Sequence, residues 1–256
     1  MKKIKNGLLW LLCLAMMPAQ QIMAQEESND YVMYESIILS PNKAKLKVLG
    51  ENMQKHNQKY HNTAPFSANV YNISTGAETG KLVWMMGPMK FSDLDSRPAE
   101  GGHDEDWRDN IMPYLDDMGA AEYWKADGKL SNLSMMDGTP GQYPIIYVRY
   151  WNVERGQGHN VDQFLETVSS TIKNMPGENP WGVYDNQFRQ GEAGRHLATV
   201  SYHKKWAELD EPNTFRKSYD EVHGENTWDA FIKNNQATFS NSWDEIWVYN
   251  KKMSGD

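Results

Sequence analysis

The side chains best equipped for chemistry sit among aromatic neighbours. Arg149 lies between Tyr147 and Trp151 at alternate positions of an apolar run, so on a strand the three share one face. A guanidinium in that setting can hold a ligand carboxylate or stack on a ring. It can equally pair with Glu35 or another acid on a neighbouring strand. His203 ends the alternation Leu197, Thr199, Ser201, His203, where an imidazole can shuttle a proton or bind a metal or haem iron. Lys204 and Lys205 follow at once, which fits a strand already leaving the interior. His103 with Asp104 and Asp106 invites a metal reading, but His-Asp-Glu-Asp at a helix start is also what capping and the helix dipole select. The same discount applies to His223. Trp84-Met85-Met86 joins a large ring to flexible thioethers, suited to an adaptable pocket wall or to ordinary core.

Better-defined motifs are missing. The sequence contains no His-Glu-x-x-His, no EF-hand loop, no Cys/His cluster, no Walker A sequence, no Gly-x-Gly-x-x-Gly and no Gly-x-Ser-x-Gly. The expectation is therefore no metal, no cofactor and no assignable catalytic residue. Acidic residues number 34 against 26 basic ones, which argues against phosphate neutralisation along a nucleic acid and against docking on an anionic membrane. Thirty aromatic residues, 13 Tyr, 10 Trp and 7 Phe, are too many for a disordered chain and supply a core.

Lys2, Lys3 and Lys5 precede the apolar run Gly7 to Met17, and Ala24 offers a small residue before Gln25. Residues 1–24 thus read as a secretory signal, giving a periplasmic or secreted protein. The run is too short for a bilayer that needs about 20 apolar residues. Cys13, the single cysteine, lies inside this leader, so the mature chain has no disulfide, thiolate metal site or cysteine nucleophile.

The elements that must position these groups repeat. In residues 25–136, a strand from Tyr31 to Leu39 precedes a helix started by Ser40-Pro41 and carrying Leu46, Leu49, Met53 and Tyr60 at helical spacing. Strands at Ala68 to Ile73 and Leu82 to Met86 follow. Next comes a helix capped by Asp104 with Trp107, Ile111, Leu115 and Met118 as its apolar face, and then a strand from Glu122 to Leu133. The breaker cluster Asp137-Gly138-Thr139-Pro140-Gly141 marks a linker at 137–142. Residues 143–256 repeat the order, with a strand at Ile145 to Trp151 and a clean stripe of Val161, Phe164, Leu165, Val168 and Ile172. Strands at Trp181 to Phe188 and Arg195 to His203 flank a turn at Gln190-Gly191-Glu192; helical pieces at Phe215 to Val222 and Trp228 to Ile232 lead to a strand at Trp243 to Tyr249. Phe91-Ser92-Asp93-Leu94-Asp95 before Pro98 is echoed by Trp206-Ala207-Glu208-Leu209-Asp210 before Pro212.

Two tandem β-α-β-β-α-β units of this kind resemble the dimeric α/β-barrel superfamily. The resemblance covers nearly all of the mature chain and rests on element order and the internal echo, not on a catalytic motif. It implies an α+β fold of two ferredoxin-like units, their antiparallel sheets packed face to face around a cavity. Because one chain carries both units, it also implies a monomer. The function expected on this basis is binding of a small apolar or aromatic molecule between the sheets, with Arg149, Trp84, Met86, Tyr147, Trp151 and His203 as its lining. The alternatives are an oxidoreductase of the same architecture, cofactor-free or haem-dependent, and a structural or interaction module with a filled core.

Overall fold

The computed structural model describes residues 31–97, 101–189 and 194–255. Residues 1–24, expected as a leader and including Cys13, Pro98 of the internal echo and the turn expected at Gln190 to Glu192 lie outside the described residues. Among the described residues no helix is long and apolar enough to cross a membrane.

The first half runs β1 (Met33–Pro41), α1 (Leu46–Tyr60), β2 (Ala68–Ile73), β3 (Leu82–Met89), α2 (His103–Asn110), β4 (Leu115–Met118) and β5 (Glu122–Ala126). The second runs β6 (Ile145–Val153), α3 (Gly158–Asn174), β7 (Trp181–Asn186), β8 (Leu197–His203), α4 (Phe215–His223), α5 (Trp228–Thr238) and β9 (Phe239–Tyr249). Both echoed segments form short 3-10 helices, Phe91–Ser96 and Trp206–Asp210.

Several boundaries differ from the sequence expectation for local reasons. Pro41 does not open α1; it still pairs with Leu115 of β4, and Asn42 caps a 3-10 turn by accepting from Ala44 N at 3.1 Å. Helix α2 stops at Asn110, because Pro113 cannot continue an α-helical ladder. Leu115 and Met118, expected on its apolar face, therefore belong to β4. Strand β5 ends at Ala126, ahead of Asp127 and Gly128, where Asp127 turns the chain by accepting from Leu130 N at 2.9 Å.

Two separate sheets were expected to pack face to face; instead one sheet closes on itself. All strand pairs are antiparallel, in the order β3-β2-β9-β6-β8-β7-β5-β1, and β1 also pairs with β3, completing an eight-stranded barrel with β4 as an added edge on β1. The halves join through β2 with β9 and β5 with β7, so strand edges that two sheets would leave open are hydrogen-bonded.

Alternation then decides what each residue faces. Tyr71, Val83, Trp124, Ile146, Val148, Tyr150, Ala198, Val200 and Trp247 form the interior cluster, with Ile38, Met85, Tyr184, Tyr202 and Trp243 against it. Rings pack against one another in the interior: Trp124 lies 5.7 Å from Tyr150, Tyr150 5.4 Å from its cross-strand partner Trp243, and Tyr34 6.2 Å from Tyr184. These rings occupy the space in which the cavity was expected. The opposite faces of the strands form two outer cores, one beneath α1 and α2, the other beneath α3 and α5.

Candidate metal centre

Among the described residues, three histidines gather outside the barrel, where the end of α1 meets the start of α2. Helix α1 buries Leu49, Met53, His56 and Asn57 along one stripe. His61 follows the last turn as its C-cap, its backbone N–H donating to the Asn57 carbonyl at 2.7 Å. The chain enters α2 through Gly101 and Gly102, at φ +74° and +85°. That left-handed pair suits glycine and delivers His103 at the first helical position. Asp104, Glu105 and Asp106 then fill the first turn, where the positive end of the helix favours them.

His56, His61 and His103 are all buried, and each offers one ligand nitrogen within 4.8 Å of the others. Every Nδ1 is already engaged. His56 Nδ1 donates to Asp106 Oδ2 at 2.7 Å, His61 Nδ1 to the Phe66 carbonyl at 2.9 Å, and His103 Nδ1 to Asp104 Oδ1 at 2.7 Å. Because a carbonyl and an ionised carboxylate only accept, each neutral ring carries its proton on Nδ1 and a lone pair on Nε2. The Nε2 atoms of His61 and His103 face each other at 3.0 Å, and His56 Nε2 is buried without a partner.

Burial is the first cause of the lowered pKa of His61, which falls to about 3, and neighbouring His56 and His103 push the same way against the Phe66 hydrogen bond. Burial likewise lowers the pKa of His56, outweighing the hydrogen bond to Asp106. For Asp106, burial acts upward, yet the bonds from His56 and Asn110 hold the carboxyl below its ordinary range. At neutral pH His56 and His61 are therefore uncharged imidazoles with free lone pairs. Nitrogens bound to tetrahedral zinc at about 2.0–2.1 Å lie roughly 3.3–3.4 Å apart. The spacings here, from 3.0 Å to less than 4.8 Å, bracket that value. Carboxylate or carbonyl partners on the far nitrogens are the usual outer-shell support of metal-bound histidine.

The surroundings are rings and a tail. Trp84 lies edge-on to His61 at 5.1 Å, Trp107 to His56 at 5.2 Å, and Tyr60 packs on His56 and His103 at 5.1 and 5.2 Å. Asn57 accepts from Trp84 Nε1 at 3.0 Å and donates to the Met253 carbonyl at 2.6 Å. The segment Met253 to Gly255 is buried beside β2: Val70 N donates to Ser254 Oγ at 3.0 Å and Gly255 N to the Ala68 carbonyl at 2.9 Å. A Cβ at Gly255 would overlap the His61 carbonyl oxygen.

Of the residues singled out by sequence, Trp84 and Met86 lie in the outer core beneath α1, and Trp84 touches the histidine group. The others are elsewhere. Tyr147, Arg149 and Trp151 share one face as parity predicts, but it is the outer face, because Ile146, Val148 and Tyr150 take the interior. Arg149 forms two bonds to Asp244 of β9, at 2.6 and 2.8 Å, and donates to Tyr147 Oη at 2.8 Å. Trp151 Nε1 donates to Thr199 Oγ1 at 3.0 Å. His203 lies 3.7 Å from Glu208 at the strand end. His103 does begin a helix among acidic residues, but Asp104 does not cap it: the N-cap is Gly102 with no side-chain cap hydrogen bond, Asp104 lies in the first turn and bonds the His103 ring, and that ring also meets two other imidazoles. His56 and His61 were not singled out: their five-residue spacing spans a helix end and matches no metal motif.

No family model matches the chain, and no curated protein matches it. Solved structures do match. An anthrone oxidase-like protein aligns at TM-score 0.52 and 12% identity, covering 88% of this chain and 93% of its own. A putative monooxygenase from Lactobacillus acidophilus aligns at 0.50 and 8%, covering 86% and 94%. A mutant chlorite dismutase from Candidatus Nitrospira defluvii aligns at 0.53 and 6%, covering 86% and 92%. The fold is that of the dimeric α/β-barrel proteins. At these identities the likeness concerns the fold, and activity has to be argued from the site.

Proposed function

We propose that the protein binds one divalent first-row transition-metal ion, zinc in the first instance, through Nε2 of His56, His61 and His103. The observation that carries this reading is the convergence of three buried imidazoles, each with a ligand nitrogen within 4.8 Å of the others and each with Nδ1 bonded to an acceptor, while His56 Nε2 is buried without a partner. Facing lone pairs repel, and a cation between them turns that repulsion into three bonds. Imidazole suits zinc, copper, iron and nickel, whereas magnesium and calcium prefer oxygen ligands. The test is elemental analysis of untagged protein prepared without chelator, together with zinc titration of the stripped chain. One ion per chain, lost in His61→Ala and His103→Ala variants that keep their far-ultraviolet spectrum, is the expected result. A stripped chain that takes up none of these metals would refute it.

A redox role is the second reading. The named neighbours include monooxygenase-like and chlorite dismutase proteins, and iron or copper in this centre would supply electron transfer that zinc does not. The identity of the retained ion separates the two. We also read the chain as exported, monomeric and doubled from one ancestral unit, on the leader at 1–24 and the repeated element order.

A further inference from the structure

We infer, resting on the metal reading above, that the ion held by the three histidines keeps one coordination position for a small anion from solution, hydroxide when no other is present. The protein supplies three donors and withholds the next candidates. Asp104 and Asp106, the nearest carboxylates, are turned to the far Nδ1 atoms of His103 and His56. The Asn57 amide is spent on Trp84 and Met253. The Tyr60 hydroxyl donates to the Gly101 carbonyl at 3.2 Å and accepts from Lys59 Nζ at 2.6 Å. Zinc sites with three protein ligands fill the remaining position with water or substrate, whereas structural sites are closed by four.

Charge selects an anion for that position. Three neutral imidazoles leave the ion its full double charge, and the two aspartates offset it only from beyond the rings. Around the ligands stand Trp84, Trp107 and Tyr60, a low-polarity wall in which the pull on an anion is stronger than in water. The three rings are buried, His103 lying next to Asp104, whose side chain is 71% exposed. An ion held by these three histidines would lower the pKa of a water bound to it, so that the proton lost to solvent would leave hydroxide as the bound anion.

Cobalt(II) replaces zinc in this kind of site and reports its coordination in the visible spectrum. The full-length mature chain, loaded with one cobalt per molecule, is titrated with azide at constant ionic strength. The expected result is a saturable change in the cobalt bands at one azide per ion, with three histidine ligands retained by X-ray absorption. A cobalt spectrum unmoved by azide, or four protein ligands by X-ray absorption, would overturn the open position while leaving the metal site standing. Failure to take up cobalt and zinc at all would overturn both.

Discussion

The Nε2 atoms of His61 and His103 face each other at 3.0 Å with both Nδ1 atoms already committed as donors, to Phe66 and to Asp104. In the uncharged state this contact holds two lone pairs and no proton, so a bound cation should relieve it. Adding zinc to stripped protein should therefore raise the unfolding midpoint. At a free concentration a hundredfold above Kd the gain is about 2.7 kcal/mol, which corresponds to several degrees for a chain of this size. Scanning calorimetry with and without zinc checks this, and His103→Ala should abolish the shift.

Asp106 touches no proposed ligand atom directly; it fixes the orientation of His56 and makes its Nε2 more basic. Asp106→Asn keeps the size and can still accept from Nδ1, but loses the charge. Metal affinity should fall roughly 10–100-fold, as for other outer-shell partners, measured by competition with a chromophoric chelator. An unchanged affinity would mean that His56 is not a ligand.

Much of the fold was legible because its signals are local. The stripe of Val161, Phe164, Leu165, Val168 and Ile172 became α3, and the runs at Ala68, Leu82 and Ile145 became strands at nearly the stated positions. Barrel closure was not legible, since it depends on which strand edges meet. Strand β6 explains the misplaced pocket: both its faces are covered, so Tyr147, Arg149 and Trp151 look no less interior than Ile146, Val148 and Tyr150. The histidine centre was hidden for another reason. His61 and His103 are 42 residues apart, and only the packing of α1 on α2 brings them together.

His61 also makes the stripped protein sensitive to acid. Its pKa is about 3 in the folded chain against an ordinary 6.5, with burial as the first cause. Between those values the unfolded chain binds a proton that the folded chain refuses, so stability falls as pH drops from about 6.5 toward 3. His61 alone contributes up to about 1.4 kcal/mol per pH unit. Urea unfolding in the presence of chelator should show this slope, and His61→Phe should flatten it relative to the parent. Parallel curves for the two proteins would contradict a buried neutral imidazole.

The buried tail is predicted to matter as much as the helices. Asn57→Ala removes the acceptor of Trp84 Nε1 and the donor to the Met253 carbonyl. Two buried groups left unsatisfied cost about 1–3 kcal/mol each. Denaturant unfolding should therefore show a loss of roughly 2–6 kcal/mol, with the Trp84 environment altered in fluorescence. A loss below 1 kcal/mol would mean that the tail is not held in this way.

Inside the barrel, Glu245 is 1% exposed and accepts from Trp247 Nε1 at 2.8 Å. Burial raises its pKa above the ordinary 4.5, against the Trp247 bond, and nearby Glu78 adds to the rise. A carboxyl whose folded pKa is raised favours the native state fully below its unfolded pKa and loses that contribution as pH climbs through the folded value. Glu245→Gln keeps an acceptor for the indole and removes the buried charge, so at pH 7 it should be neutral or stabilising, and its advantage should vanish near pH 4. Thermal midpoints of the two proteins across that range decide the matter. A strongly destabilised variant at pH 7 would show that the ionised carboxylate is held by the barrel rather than merely tolerated in it.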